Sequence, residues 1–433
     1  MIRTAHVWIL LCVAIILSTI SVIERRSSDK RTNDAITLLV PSGVFDFQAV
    51  DSITLRRGSE GLQFDRLDGE WWQTKPFRCK MDSRSILELI ERAQGLLQLG
   101  KIEGDVSYNA IGLGEDADAI VLSTPTDAIE FKLGRMTLGG RAYAAINNEL
   151  PVTVSQSLHR LALDTDHRYW RDTRVFPNVS VNAEKIERRI DDDALILNNE
   201  GGRWMIQEPV SARVHQDAFV EWVGRLASVK IQSFVVDSSD DLALFSLLSP
   251  RASISVVDRE GDRTTVLIGG RVSANSQDRY VQLEHSPMVC RMDWDSLSQL
   301  FPTAELIASP TGSGVSQFDI KRVRIATKGS ETILKRELDR WVDESRGAKV
   351  VEPQLVQSLL IWLLKSHPVS VAIGPFPRDL QVATVTFEGY DRLPMDTVRI
   401  ALQEDGSWIL DNGENVLRLH RSESGAPLEQ FLH

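Results

Sequence analysis

The chain has 433 residues, a formal net charge of −11, 25% charged and 42% hydrophobic residues, and three cysteines. The length suits about three domains rather than one core, and the acidic balance, with no basic run beyond residues 25–31, excludes a nucleic-acid grip. Cys12, Cys79 and Cys290 make no metal-binding spacing and are expected to be free thiols.

Residues 5–23 carry no charged side chain apart from His6 when protonated. Nineteen residues in a helix would span roughly 28 Å, close to a bilayer core. No small-x-small cleavage site ends the stretch, and Leu10-Leu11 before Cys12 does not suit lipid attachment. The expectation is an uncleaved single-pass anchor, with membrane lipid as its first partner. Arg25, Arg26, Lys30 and Arg31 would hold the following region in the cytoplasm by the positive-inside rule. The plan of one anchor before a large β-rich region points the other way, and the soluble region is expected outside the cytoplasm. Residues 24–46 read as a tether.

A stretch beginning at Ile53 recurs. Ile53 aligns with Ile186 and Val323, Phe64 with Leu197 and Leu334, and Trp71 with Trp204 and Trp341. No gap is needed over 19 residues. The first copy alternates Ile53 and Leu55, then Leu62 and Phe64, as one face of two strands. Asp68-Gly69 is a hairpin signal leading to Trp71 and Trp72. Pro76 and Pro209 follow their tryptophans by five residues, and Arg346 stands at that place in the third copy. The period then becomes helical. Ile86, Leu87, Ile90, Ala93 and Leu97 make one stripe, Phe219, Trp222, Val223, Leu226 and Val229 the second, and Val356, Leu359, Leu360 and Leu363 the third.

Further strands follow each helix. Leu133-Gly134 in the first copy matches Ile268-Gly269 in the second, and Tyr143 and Tyr280 come shortly after each glycine. The predicted fold is therefore α+β, a transmembrane helix followed by three tandem units at 47–176, 177–308 and 317–433. The clearest linker is 309–316, and the third unit is expected to be shortened, without a closing helix. Trp71, Trp204 and Trp341 could form an aromatic binding platform. Their recurrence at one place favours core packing instead, since packing roles repeat more readily than ligand contacts.

Chemistry is sparse. The glycine-rich stretches 133–141 and 267–271 lack the ending of a phosphate loop. One polar cluster is worth weighing, formed by His159, Asp164, Asp166, His167, Arg171 and Asp172. Histidines and carboxylates can bind metal or exchange protons. Their spacing does not force convergence, and the second unit offers no equivalent. A solvated helix end is the favoured reading, with His159, Asp166, His167 and Asp172 kept as weak catalytic candidates. No cofactor or metal site is expected.

These motifs together (Trp71, Pro76, Ile111-Gly112-Leu113, Leu133-Gly134, Tyr143, Arg171-Asp172, then Trp204, Pro209, Gly269 and Tyr280) resemble the domain-of-unknown-function family 4340. The resemblance implies a membrane-anchored protein associated with ABC-type transporter parts of the gliding-motility sort, and it brings no catalytic residues. The expected function is a non-enzymatic accessory or scaffold protein with an ABC-type permease or ATPase as partner. The alternatives are a hydrolase using residues 159–172, or a small-molecule binding module with a deep apolar pocket.

Overall fold

The computed structural model describes residues 37–432 except 103–105, 148, 240 and 339. One arrangement occurs three times, and each copy is called a module below. In module 1 the strands are β1 (Thr37–Leu38), β2 (Ser52–Arg57), β3 (Glu60–Leu67), β4 (Glu70–Lys75) and β5 (Cys79–Lys80). Helix α1 (Ser83–Gln94) follows, then β6 (Leu97–Lys101), β7 (Asp118–Ser123), β8 (Ala128–Thr137), β9 (Arg141–Ile146) and β10 (Val152–Ser155). Module 2 has β11 (Lys185–Ile190), β12 (Asp193–Glu200), β13 (Arg203–Glu208), β14 (Ala212–Arg213), α2 (Gln216–Ser228), β15 (Ser233–Val236), β16 (Ala252–Val257), β17 (Arg263–Arg271), β18 (Arg279–Leu283) and β19 (Val289–Met292). Module 3 has β20 (Arg322–Thr327), β21 (Glu331–Glu337), β22 (Arg340–Asp343), β23 (Lys349–Val351), α3 (Pro353–Lys365), β24 (Ser370–Ile373), β25 (Gln381–Glu388), β26 (Pro394–Leu402), β27 (Trp408–Asp411) and β28 (Val416–His420).

Each module forms one antiparallel sheet. In module 2 the order is β14-β13-β12-β11-β16-β17-β18-β19-β15, and module 3 repeats it as β23-β22-β21-β20-β25-β26-β27-β28-β24. Module 1 has the same order with β1 added beyond β6. The strand after the helix thus crosses to the far edge, beside the last strand. Compact packing divides the chain after Asp172, with module 1 in one unit and modules 2 and 3 together in the other.

The expected fold class is corrected. Antiparallel sheet dominates, and among the described residues no helix is long and apolar enough to cross a membrane. The physical reason is length. Helices α2 and α3 have 13 residues each and would span only about 20 Å, and each turns one stripe inward against its sheet. The proposed membrane segment 5–23, with Cys12 and the basic residues after it, lies outside the described residues.

Period-two alternation decides which side chains face the helix. Ile53, Leu55 and Phe64 are fully buried on one face. Trp71, Trp204 and Trp341 lie between sheet and helix with relative exposures of 2%, 4% and 9%. The Trp204 ring meets Phe219 of α2 at a tilt, with 4.6 Å between ring centres, and Trp204 Nε1 donates to Val181 O at 2.8 Å. The peptide bonds before Pro76 and Pro209 are cis. A bulge interrupts β3–β4 and β12–β13 just ahead of each proline, while β21–β22 pair without one.

The glycine motif has a steric explanation. At Gly134 the β8–β9 register shifts, and the segment Ile111–Leu113 crosses the sheet so closely that a Cβ on Gly134 would lie 2.6 Å from Ile111 O. Arg135 N donates to that same carbonyl at 2.8 Å. Gly269 has the same place in β17, where Phe245 O is the close neighbour. Tyr143 packs with Ile111, Leu113 and Ala145 in a small second core, and Tyr280 meets the Phe245 ring edge-on at 4.9 Å.

Module 3 closes with a 3-10 turn at Ser422–Gly425 and a short helix at Ala426–Glu429, an element the sequence reading lacked. Leu428 and Phe431 carry it into the core. Gly425 is required there, because a Cβ would enter the Trp408 indole.

Candidate functional site

The polar cluster near the end of module 1 is spread over three short elements. His159 ends the helical turn Ser157–His159 and is fully buried, with Nε2 2.9 Å from Tyr143 O. Its Nδ1 is buried and has no hydrogen-bond partner among the described residues. Burial holds its pKa below the usual histidine value, against the opposing effects of the Tyr143 carbonyl and Asp164. Asp166 caps the 3-10 turn His167–Trp170 by accepting from Arg168 N at 3.0 Å. His167 Nδ1 lies 4.0 Å from Asp166 Oδ1, and its Nε2 lies 3.4 Å from Arg171 Nη2. Arg171 is 1% exposed, its guanidinium 5.1 Å over the Phe77 ring. Asp172 N donates to Lys80 O at 3.0 Å, tying the chain at the end of module 1 to β5. His167 and Asp166 are therefore adjacent, whereas His159 points into the sheet at Tyr143. Among the described residues no group of three or more His, Cys, Asp or Glu side chains is placed to hold a metal.

A second polar group does converge, at the seam of modules 2 and 3. Arg213 belongs to the short edge strand β14. Its Nε and backbone N donate to Glu414 Oε1 at 2.8 and 3.1 Å, and its Nη2 donates to Thr311 O at 3.0 Å. Arg418 in β28 donates from Nη2 to Glu414 Oε2 at 2.9 Å and from Nε to Ser309 O at 2.9 Å. Nη1 of Arg418 completes the set on Val416 O at 2.9 Å and Asn412 Oδ1 at 3.3 Å. The side chains of Arg213, Glu414 and Arg418 are 10%, 13% and 0% exposed. Burial alone would raise the Glu414 carboxyl, yet the two guanidinium groups hold it below the usual carboxylate range. Burial and the nearby Arg213 charge push Arg418 below the usual arginine range.

Beside this group His420 is 2% exposed, with its ring 6.1 Å from that of Trp362. Burial, helped by the Arg418 charge, lowers its pKa to about 4. The imidazole is thus neutral across the neutral pH range.

The sequence reading did not single out Arg213, Glu414 or Arg418. A signal existed for Arg418. Val416, Arg418 and His420 alternate on the buried face of β28, so two polar residues stand where a strand normally turns apolar ones inward. Nothing in the local sequence marks Glu414, which sits on the turn between β27 and β28 and is 201 residues from Arg213.

Two surface concavities are open to solvent. One runs along the outer face of α1, lined by Arg84, Glu88, Glu91 and Arg92 with Leu87. Another lies at the end of α2, lined by Arg225, Lys230, Asp293 and their neighbours. Neither is a deep apolar pocket.

No curated protein matches the chain. Residues 204–365 match the family described as Domain of unknown function (DUF4340), from Trp204 on β13 to Lys365 at the end of α3. The match thus takes the later part of module 2 with the first part of module 3, and it supports the family of unknown function to which the tryptophan and glycine motifs pointed.

Proposed function

We propose that the chain is a non-enzymatic accessory or scaffold protein whose modules present surfaces to a protein partner. The observation that carries this reading is what repeats and what does not. The recurring positions, Trp71, Trp204 and Trp341 with Gly134 and Gly269, serve packing. The polar residues of 159–172 recur in neither other module, and there Asp166 caps a turn and His159 bonds a strand carbonyl. Repeated modules without a repeated reactive set suit an extended interaction surface. The partner class follows from the family resemblance: an ABC-type permease or ATPase of the cell envelope.

The test is purification of the full-length protein from its native cells, with co-purifying proteins counted by mass spectrometry. A permease or ATPase of the ABC class in near-stoichiometric amount is the expected result. Recovery of the protein without such a component would end the accessory-subunit reading.

A further inference from the structure

The segment 309–316 has the composition of a flexible linker, with two serines, two glycines and a proline in its first six residues. Its surroundings are those of a seam. Val214 bridges Ala308, and Ser309 N donates to Arg213 O at 2.8 Å, so the segment begins by extending the edge of the module 2 sheet. Ser313 Oγ then donates to Asp396 Oδ2 at 2.5 Å in module 3. A Cβ on Gly312 would lie 2.8 Å from Leu363 O, and one on Gly314 would lie 2.8 Å from Arg213 Nη1. The glycines here permit close approach rather than freedom of movement.

Three side chains hold this seam, and among the described residues Glu414 is the only acid that bonds both arginines. Arg213 reaches it from module 2 and Arg418 from module 3, and the same two arginines hold the carbonyls of Thr311 and Ser309. The other buried acid nearby, Asp411, is committed elsewhere. It pairs with Arg399 and accepts from Gly413 N and Val416 N, which shapes the turn carrying Glu414. Gly413 and Asn415 flank Glu414 with φ of 93° and 57°, so both neighbours occupy the left-handed region.

We infer that Glu414 is an ionic latch that joins modules 2 and 3 into one rigid body, making 309–316 a clamped seam and not a hinge. A partner would then meet modules 2 and 3 as a fixed pair. The inference is independent of which partner that is.

The test is amide hydrogen exchange of the full-length protein carrying Glu414→Gln. The substitution leaves two buried guanidinium groups without their shared counter-ion. Protection of the amides in 306–316 and 212–215 should fall by more than about a hundredfold, while the central strands of both sheets and helix α3 keep theirs. Unchanged protection at the seam would overturn the latch. Should Glu414→Gln unfold the protein, Arg213→Lys provides the second reading. It keeps the charge but loses the forked contacts, and should loosen the seam selectively. Loss of protection throughout modules 2 and 3 in both variants would also overturn the inference, because Glu414 would then belong to a single shared core. Glu414→Asp should restore part of the protection if the carboxylate is what matters.

Discussion

Residues 159–172 and the Arg213–Glu414–Arg418 seam contain the same chemical types, yet they are built by opposite logic. In the first, polar residues are neighbours in sequence, and the chain turns His159 away while Asp166, His167 and Arg171 stay beside one another. His159 faces the sheet, Asp166 caps a turn, and the Asp172 backbone is tied to β5. In the second, residues 201 positions apart meet around one carboxylate. Density of polar residues along the chain is therefore a poor guide to convergence. The buried seam has far more to lose from a substitution, because a charge removed from water must keep its partner.

The largest expected effect is at the seam. Arg418→Ala removes the guanidinium that satisfies Glu414 and the carbonyls of Ser309 and Val416. Loss of one partner from a buried pair should cost about 3–5 kcal/mol. Urea unfolding of the full chain, followed by tryptophan fluorescence, measures this for the unit formed by modules 2 and 3. Arg418→Met should cost less, since it keeps the packing of the stem. Equal losses in both variants would mean that the guanidinium and its hydrogen bonds, not the volume of the stem, hold β28 in place.

A smaller effect should appear with pH. His420 has a folded-state pKa of about 4 against an ordinary value of 6.5. A depressed histidine favours folding only while neutral, so its contribution is complete above pH 6.5 and is lost as pH falls from 6.5 towards 4. The full loss is about 3 kcal/mol at most. Depressed carboxylates such as Glu414 act lower, losing their contribution as pH falls below the ordinary carboxylate value. His420→Leu should therefore flatten the stability profile of modules 2 and 3 between pH 6.5 and 4.5 while leaving the steeper acid limb. A profile unchanged by this substitution would place the titration elsewhere.

What could be read from sequence was whatever repeats at short range. Alternation at Ile53, Leu55, Leu62 and Phe64 placed those residues on one face, and all four are buried. The stripe of Phe219, Trp222, Val223 and Leu226 is likewise the buried side of α2. The closing helix of module 3 escaped because Ser424-Gly425-Ala426-Pro427 looks like loop chemistry, and only the Trp408 ring explains the glycine. The strand that crosses from each helix to the far sheet edge was equally invisible, since pairing of β28 with β24 is written in no local pattern. Glu414 was hidden for the same reason. Its role depends on the edge strand β14 and the β27–β28 turn being brought together by the fold, and an isolated glutamate on a turn reads as solvated.

Within module 1 the expected effects are modest. His159→Leu gives up one hydrogen bond to Tyr143 O but also removes a buried Nδ1 that has no partner among the described residues. The two changes oppose each other, and the net effect on stability should stay within about 1 kcal/mol. A loss several times larger would show that the imidazole organises the neighbouring turn through more than this bond.

The smallest effect is expected at Asp166. Its carboxylate accepts from Arg168 N and lies 3.6 Å from Arg168 Nε, on a side chain nearly half exposed. The ion pair is open to water and contributes little, so the cap dominates. Asp166→Ala should cost about 0.5–1 kcal/mol, and Asp166→Asn, which keeps an acceptor for the same N–H, should recover most of it. This pair of variants also sharpens the contrast with the seam. At Glu414 the neutral amide should fail, because two buried cations need a negative charge; at Asp166 the amide should serve, because a single backbone donor needs only an oxygen. An Asp166→Asn protein as unstable as Asp166→Ala would mean that charge matters at the first cluster too, and that residues 159–172 are more tightly coupled than their separate hydrogen bonds indicate.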